Sequence, residues 1–142
     1  MPFSILLPAF ALVMLTAIVA AALYRERFRE IAHRRIDPQA LSTSASMRQT
    51  LQNTQASDNF KNLFETPVLF YALCAFLATG QVISSFFIAG AWTYVLLRYI
   101  HSYIHLTYNR VMHRFLVYFL SILVLFGMWM VYGVQLILAA TA

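Results

Sequence analysis

The sequence is short of charge. Only 11% of its 142 residues are Asp, Glu, Lys or Arg, against about 25% in soluble domains. Hydrophobic residues make up 61% and the mean hydropathy is +0.70. Small domains keep a large exposed fraction, so a water-soluble globule of this length could not bury so much apolar surface. The membrane is the solvent that remains. Cysteine is nearly missing as well. The lone Cys74 excludes an intrachain disulfide and leaves the compartment open. Cys74 sits inside an apolar run, where a thiol is inert, so nucleophilic catalysis by it is set aside. There is no internal repeat, no phosphate loop, no nucleotide fingerprint and no HExxH.

What the chain does have is long apolar sequence. Four segments stand out: about Phe3–Tyr24, Leu63–Thr79, Val82–Leu106 and Phe115–Ala140. A spanning helix needs about 20 mostly apolar residues. The first and fourth segments meet this alone. The second needs a start in the polar sequence before Asn62. The chain therefore reads as one all-α membrane domain over residues 1–142, with spans at about 3–24, 60–80, 82–107 and 113–140. The first segment has no basic n-region and is too long for a signal-peptide core, so it reads as a retained helix.

The net charge of +5 is concentrated. Arg25, Arg27, Arg29, Arg34, Arg35, Arg48 and Lys61 share one polar stretch with four of the five acids. Arg98, Arg110 and Arg114 cluster near a second. Lys and Arg gathered beside apolar spans are an orientation signal, not a sign of nucleic-acid binding. The positive-inside rule places the loop at about 25–59 and the 107–114 turn in the cytoplasm, and both termini on the other side. Arg25 to Arg35 extends the first span at headgroup level. "DPQALSTSASMRQTLQNTQAS" reads as a linker, partly helical, and not as a second domain.

Polar residues inside apolar sequence are the candidates for function. Arg98, His101, His105 and Asn109 follow spacings of three, four and four, which on a helix form one polar stripe. Such a stripe faces the bundle interior or a wet cleft, not lipid. His101 and His105 have i, i+4 spacing, but a catalytic zinc site usually needs three protein ligands, and no metal is expected here. If Asp58 to Leu77 is helical, Asp58, Asn62 and Glu65 share a face, and Pro67 kinks the helix nearby. An ionised Glu65 at that depth is costly unless paired. It reads either as a helix-start residue favoured by the dipole, or as the partner of an arginine in a polar pocket. Together these residues describe a cationic, hydrogen-bonding pocket at the cytoplasmic end of a helix bundle. It suits a ligand with carboxylates and peptide groups and an apolar co-substrate from the bilayer.

"NLFETP", "RYIHSYIH" and "NRVMHR" resemble the MAPEG family, membrane-associated proteins in eicosanoid and glutathione metabolism. "NFKNLFETPVLFY" looks like the bacterial branch, which points to a bacterial inner membrane. The resemblance covers nearly the whole chain. It implies a homotrimer of four-helix protomers that holds glutathione between neighbouring subunits near the cytoplasmic side. It implies that Asn62, Glu65, Arg98, His101 and His105 hold glutathione, that Arg25 or Arg29 assists from the first helix, and that Arg114 stabilises the thiolate. The sequence departs from the family pattern at Asp58, where an arginine is common. It also has Phe115 where the prostaglandin E synthase branch has serine.

The activity the resemblance implies is attack of a glutathione thiolate on a lipophilic electrophile in the membrane, with peroxidase activity as a variant. Arg114 would favour the thiolate, and Glu65 would be salt-bridged inside the pocket. The alternative within the same fold is a non-catalytic membrane protein that binds lipid or a partner. A small transporter or assembly subunit is a further rival, against which the uncharged first and fourth spans argue.

Overall fold

The structure, a computed structural model, describes residues 2–51 and 54–141, and it is helical throughout. The side chain of Arg48, in the basic stretch, lies outside the described residues. A short 3-10 turn, Pro2–Ile5, leads into α1, Leu6–Arg34. Its buried residues Leu12, Leu15, Val19 and Leu23 recur every three or four positions, the period of one helix face. α1 runs well past its apolar sequence into the arginines. It stops at Arg35, which adopts the left-handed conformation (φ 51) and donates its N–H to Ile31 O.

The linker is more ordered than its composition suggests. Asp37 caps a 3-10 turn, Pro38–Leu41, by accepting from Gln39 N. Thr43 and Ser46 cap each other reciprocally at the head of α2, Ser44–Thr50. Two exchanged cap bonds satisfy donors that a helix start otherwise leaves orphaned. Arg34 then bonds both Glu30 Oε1, at 2.7 Å, and Thr50 O, at 2.8 Å, which ties the linker back to α1.

The second span is interrupted. Where one kinked helix from Asp58 to Leu77 is expected, α3, Gln55–Asn62, ends and α4, Thr66–Thr79, begins after a gap of three residues. Pro67 is the cause in part: it sits in the first turn of α4, where its missing N–H is tolerated and from which no helix continues backwards. Glu65 takes the N-cap position of α4 but makes no side-chain cap bond.

α5, Ser85–Leu106, and α6, Val111–Thr141, form a hairpin and pack along one another. α5 lies at the centre, because it also packs on α1 and α3. Tyr99 Oη reaches across to Ala11 O of α1 at 2.8 Å. Phe70, Leu73 and Leu77 of α4, Phe87, Ala91 and Tyr94 of α5, and Leu125 and Met128 of α6 close the apolar core. The outward faces remain apolar, with Leu7, Phe10, Leu96 and Ile137 among many exposed large side chains. Exposed apolar surface on this scale marks a surface not meant for water.

Among the described residues three stretches are long and apolar enough to cross a membrane: Leu6–Arg34, Gln55–Thr79 taken across its break, and Val111–Thr141. α5, expected as a span at 82–107, is not among them. Its 22 residues rise about 33 Å, but Arg98, His101 and His105 dilute its hydropathy.

Candidate functional site

The site begins with the break between α3 and α4. In a continuous helix the Asn62 carbonyl would accept from the backbone of residue 66. Here that bond is lost, and Arg98 Nη2 donates to Asn62 O at 2.6 Å instead. Arg98 is 0% exposed. Its guanidinium carbon lies 5.1 Å from the centre of the Tyr118 ring, a cation–π distance. No carboxylate pairs with it among the described residues, and its Nε and Nη1 have no hydrogen-bond partner. A buried, incompletely satisfied guanidinium is costly.

The rest of the polar stripe is buried beside it. His101 Nδ1 lies 3.2 Å from Arg114 O, and its ring packs 5.4 Å from that of Tyr118. His105 Nε2 lies 3.1 Å from Arg114 Nη1. An arginine nitrogen only donates, so this contact makes His105 Nε2 the acceptor. Arg114 Nη1 also donates to Asn109 Oδ1 at 2.7 Å. Asn109 lies past the end of α5 in a left-handed conformation (φ 46), which asparagine tolerates better than most residues. Its N–H closes α5 on Ile104 O at 2.8 Å. One residue thus turns the chain between the helices and tethers the guanidinium at the start of α6.

Two clefts open on this frame. A cleft of about 290 Å³ is lined by Asn62, Glu65, His101, Val111, Arg114, Phe115 and Tyr118. A larger one, about 560 Å³, is lined by Thr54, Asp58, Lys61, Asn62, Glu65, His105 and Arg114. Asn62, Glu65 and Arg114 belong to both. Asp58, Asn62 and Glu65 therefore share a wall even though no single helix carries them. Ligand sites are commonly clefts of about 300–1,000 Å³ with a few convergent polar groups. Polar atoms without partners cluster around them: His101 Nε2, His105 Nδ1, Asn59 Nδ2 and the two Arg98 nitrogens.

Glu65 takes the helix-start place that was one of its two readings, and not the pairing with an arginine. It is exposed and forms no ion pair among the described residues; its side chain accepts only from Tyr118 Oη, at 3.4 Å. The interrupted helix explains this. Arg98 is held by the freed Asn62 carbonyl beneath the cleft, while Glu65 starts α4 at its rim. Arg25 and Arg29 are exposed on α1 and line neither cleft, because the clefts lie along the seam of α3 to α6. Among the described residues no group of three or more His, Cys, Asp or Glu could hold a metal ion.

Three residues of the site escape the sequence reading. Tyr118 lies beneath Arg98 and touches both His101 and Glu65. It stands four residues after Arg114, so helical spacing carried the signal. Asn59 and Ser102 are buried, and Ser102 Oγ donates to Asn59 Oδ1 at 3.1 Å. Ser102 stands four residues after Arg98, on the same stripe.

Residues 5–134 match the MAPEG family. No curated protein and no solved structure matches the chain.

Proposed function

The chain belongs to the MAPEG family, and on that premise we propose that this membrane protein is a glutathione-dependent transferase acting on lipophilic electrophiles. The observation that carries the reading is the convergence of Asn62, Glu65 and Arg114 on both clefts. The donor set fits glutathione, whose carboxylates and peptide groups call for guanidinium, amide and imidazole partners. Arg114, Asn62 and the imidazoles of His101 and His105 supply such groups in the two linings.

Bound glutathione would supply a thiol that, once ionised, attacks an electrophile dissolved in the bilayer. A free thiol has a pKa of about 8.5 and is mostly protonated at neutral pH. Arg114 is the residue that would favour the ionised sulfur, since a nearby guanidinium stabilises an anion in a partly dehydrated cleft. Asn109 and His105 hold that guanidinium in place. Asn62 and Glu65 orient the peptide, Glu65 by receiving an ammonium group. Phe115 and Val111 give the smaller cleft an apolar edge from which the co-substrate would enter. Positioning and charge stabilisation are the work asked of the protein.

The same reading has four membrane helices, with α5 shielded by its neighbours, and a homotrimer in which Arg25 and Arg29 serve a neighbouring protomer's cleft. The basic loops face the cytoplasm and both termini lie on the opposite side. Calorimetry of glutathione binding in detergent, with oligomer mass and thiolate absorbance from the same sample, tests the ligand, the trimer and the ionised sulfur. Saturable binding with a rise in thiolate absorbance supports the enzyme. Binding without thiolate leaves a non-catalytic member of the fold, and absence of binding removes the proposal.

A further inference from the structure

Three members of the polar stripe converge on one residue of α6. His101 Nδ1 faces Arg114 O at 3.2 Å. A carbonyl only accepts, so the imidazole donates there and fixes the main chain in the first turn of α6. His105 Nε2 and Asn109 Oδ1 hold the far end of the same residue, both by accepting from Arg114 Nη1, at 3.1 and 2.7 Å. A guanidinium has five N–H groups, two on each Nη and one on Nε. Both hydrogens of Nη1 are thus engaged, and the edge formed by Nε and Nη2 is the one left to a ligand. Arg114 lines both clefts and Asn109 lines neither, so Asn109 acts on a bound molecule only through the arginine.

The consequence deepens the glutathione reading and rests on it. A loose arginine side chain has many rotamers, and confining it to one beside a developing anion costs entropy. A guanidinium already tied back through Nη1 has lost that freedom before the thiol arrives, and a charge fixed in advance stabilises an anion best. The shorter of the two bonds goes to Asn109, which also makes the turn: its φ is 46, and its N–H closes α5 on Ile104 O. Turn and tether are separable, because glycine adopts the same backbone and has no side-chain oxygen. We infer that Asn109 is a positioning residue that sets the acidity of the bound thiol through Arg114, with His105 as the weaker second point of the tether.

The test is a double-mutant cycle on the full chain in detergent, read as thiolate absorbance with saturating glutathione at neutral pH. Asn109→Gly is expected to lower the thiolate about threefold. Affinity for S-methylglutathione, which has no thiol to ionise, should stay within about twofold of wild type. In the Arg114→Met background Asn109→Gly should change nothing further, because the arginine it acts through is gone. A melting curve checks the fold; if Asn109→Gly does not fold, His105→Phe takes its place in the same cycle, with an expected loss of about twofold. Unchanged thiolate overturns the inference. So does an equal loss in both backgrounds, or a parallel fall in S-methylglutathione affinity, since either marks a general structural effect. In those cases the wild type still binds and ionises glutathione, and that reading survives. If the wild type binds no glutathione, or binds it without forming thiolate, the transferase reading and this inference fall together.

Discussion

The two halves of α5 are built on opposite terms. From Phe87 to Val95 its buried side chains are Phe87, Ala91, Tyr94 and Val95; from Arg98 onward they are Arg98, His101, Ser102, Ile104 and His105. Both halves are equally enclosed. The first is satisfied by volume: Phe70 stacks on Tyr94 at 4.6 Å between centroids, and Met128 fills the space over Gly90. The second needs a partner for each polar atom and does not find one for several. An apolar half filled by packed side chains beside a polar half with unpartnered atoms is what a support and a binding surface look like when one helix carries both.

The largest effect should come from breaking the support. Phe70→Ala removes a fully buried ring and should lower stability by about 3–5 kcal/mol, read as a fall in melting temperature in detergent. Glutathione affinity measured well below that temperature should hold. A melting temperature equal to wild type would mean that α4 and α5 do not depend on this stack.

Next in size is the binding half. Arg114→Met should reduce thiolate absorbance about tenfold, equivalent to about 1.4 kcal/mol, while melting temperature and glutathione binding stay near wild type. Conjugation at the wild-type rate by this variant would remove Arg114 from its role. Glu65→Gln should weaken glutathione binding about fivefold, close to 1 kcal/mol, with folding intact because the side chain is exposed. An unchanged dissociation constant would return Glu65 to being the first residue of α4 and nothing more.

The smallest effect sharpens the contrast from the apolar side. A methyl group on Gly90 would lie 2.8 Å from Met128 Sδ. That sulfur belongs to a flexible side chain that can swing away, and alanine is the better helix former. Gly90→Ala should therefore cost less than about 1 kcal/mol. A loss as large as that of Phe70→Ala would show the packing here to be rigid.

Much of this was legible in the sequence, and the reasons differ by residue. α1 and α6 could be read because their apolar runs are uninterrupted. Asn62, Glu65, His101, His105 and Arg114 could be read because helical spacing and the family's motif both pick them out. The break at residues 63–65 could be read only halfway. Pro67 announces a disturbance, but whether a helix bends or stops depends on what takes up the freed carbonyl, and Arg98 lies 36 residues away in the chain. Tyr118 was hidden for a related reason. A tyrosine in an apolar span is ordinarily an interfacial side chain, and only its neighbours make it the platform for a guanidinium. Arg25 and Arg29 were named by the family resemblance, and neither lines either cleft of this chain.

The grip of Arg98 on the main chain of Asn62 has a consequence for how this site can change. Every amino acid brings the same carbonyl, so position 62 can exchange its side chain, and with it the group offered to a bound molecule, without releasing the arginine. Anchorage and recognition are carried by different atoms of a single residue, and one can drift while the other stays fixed.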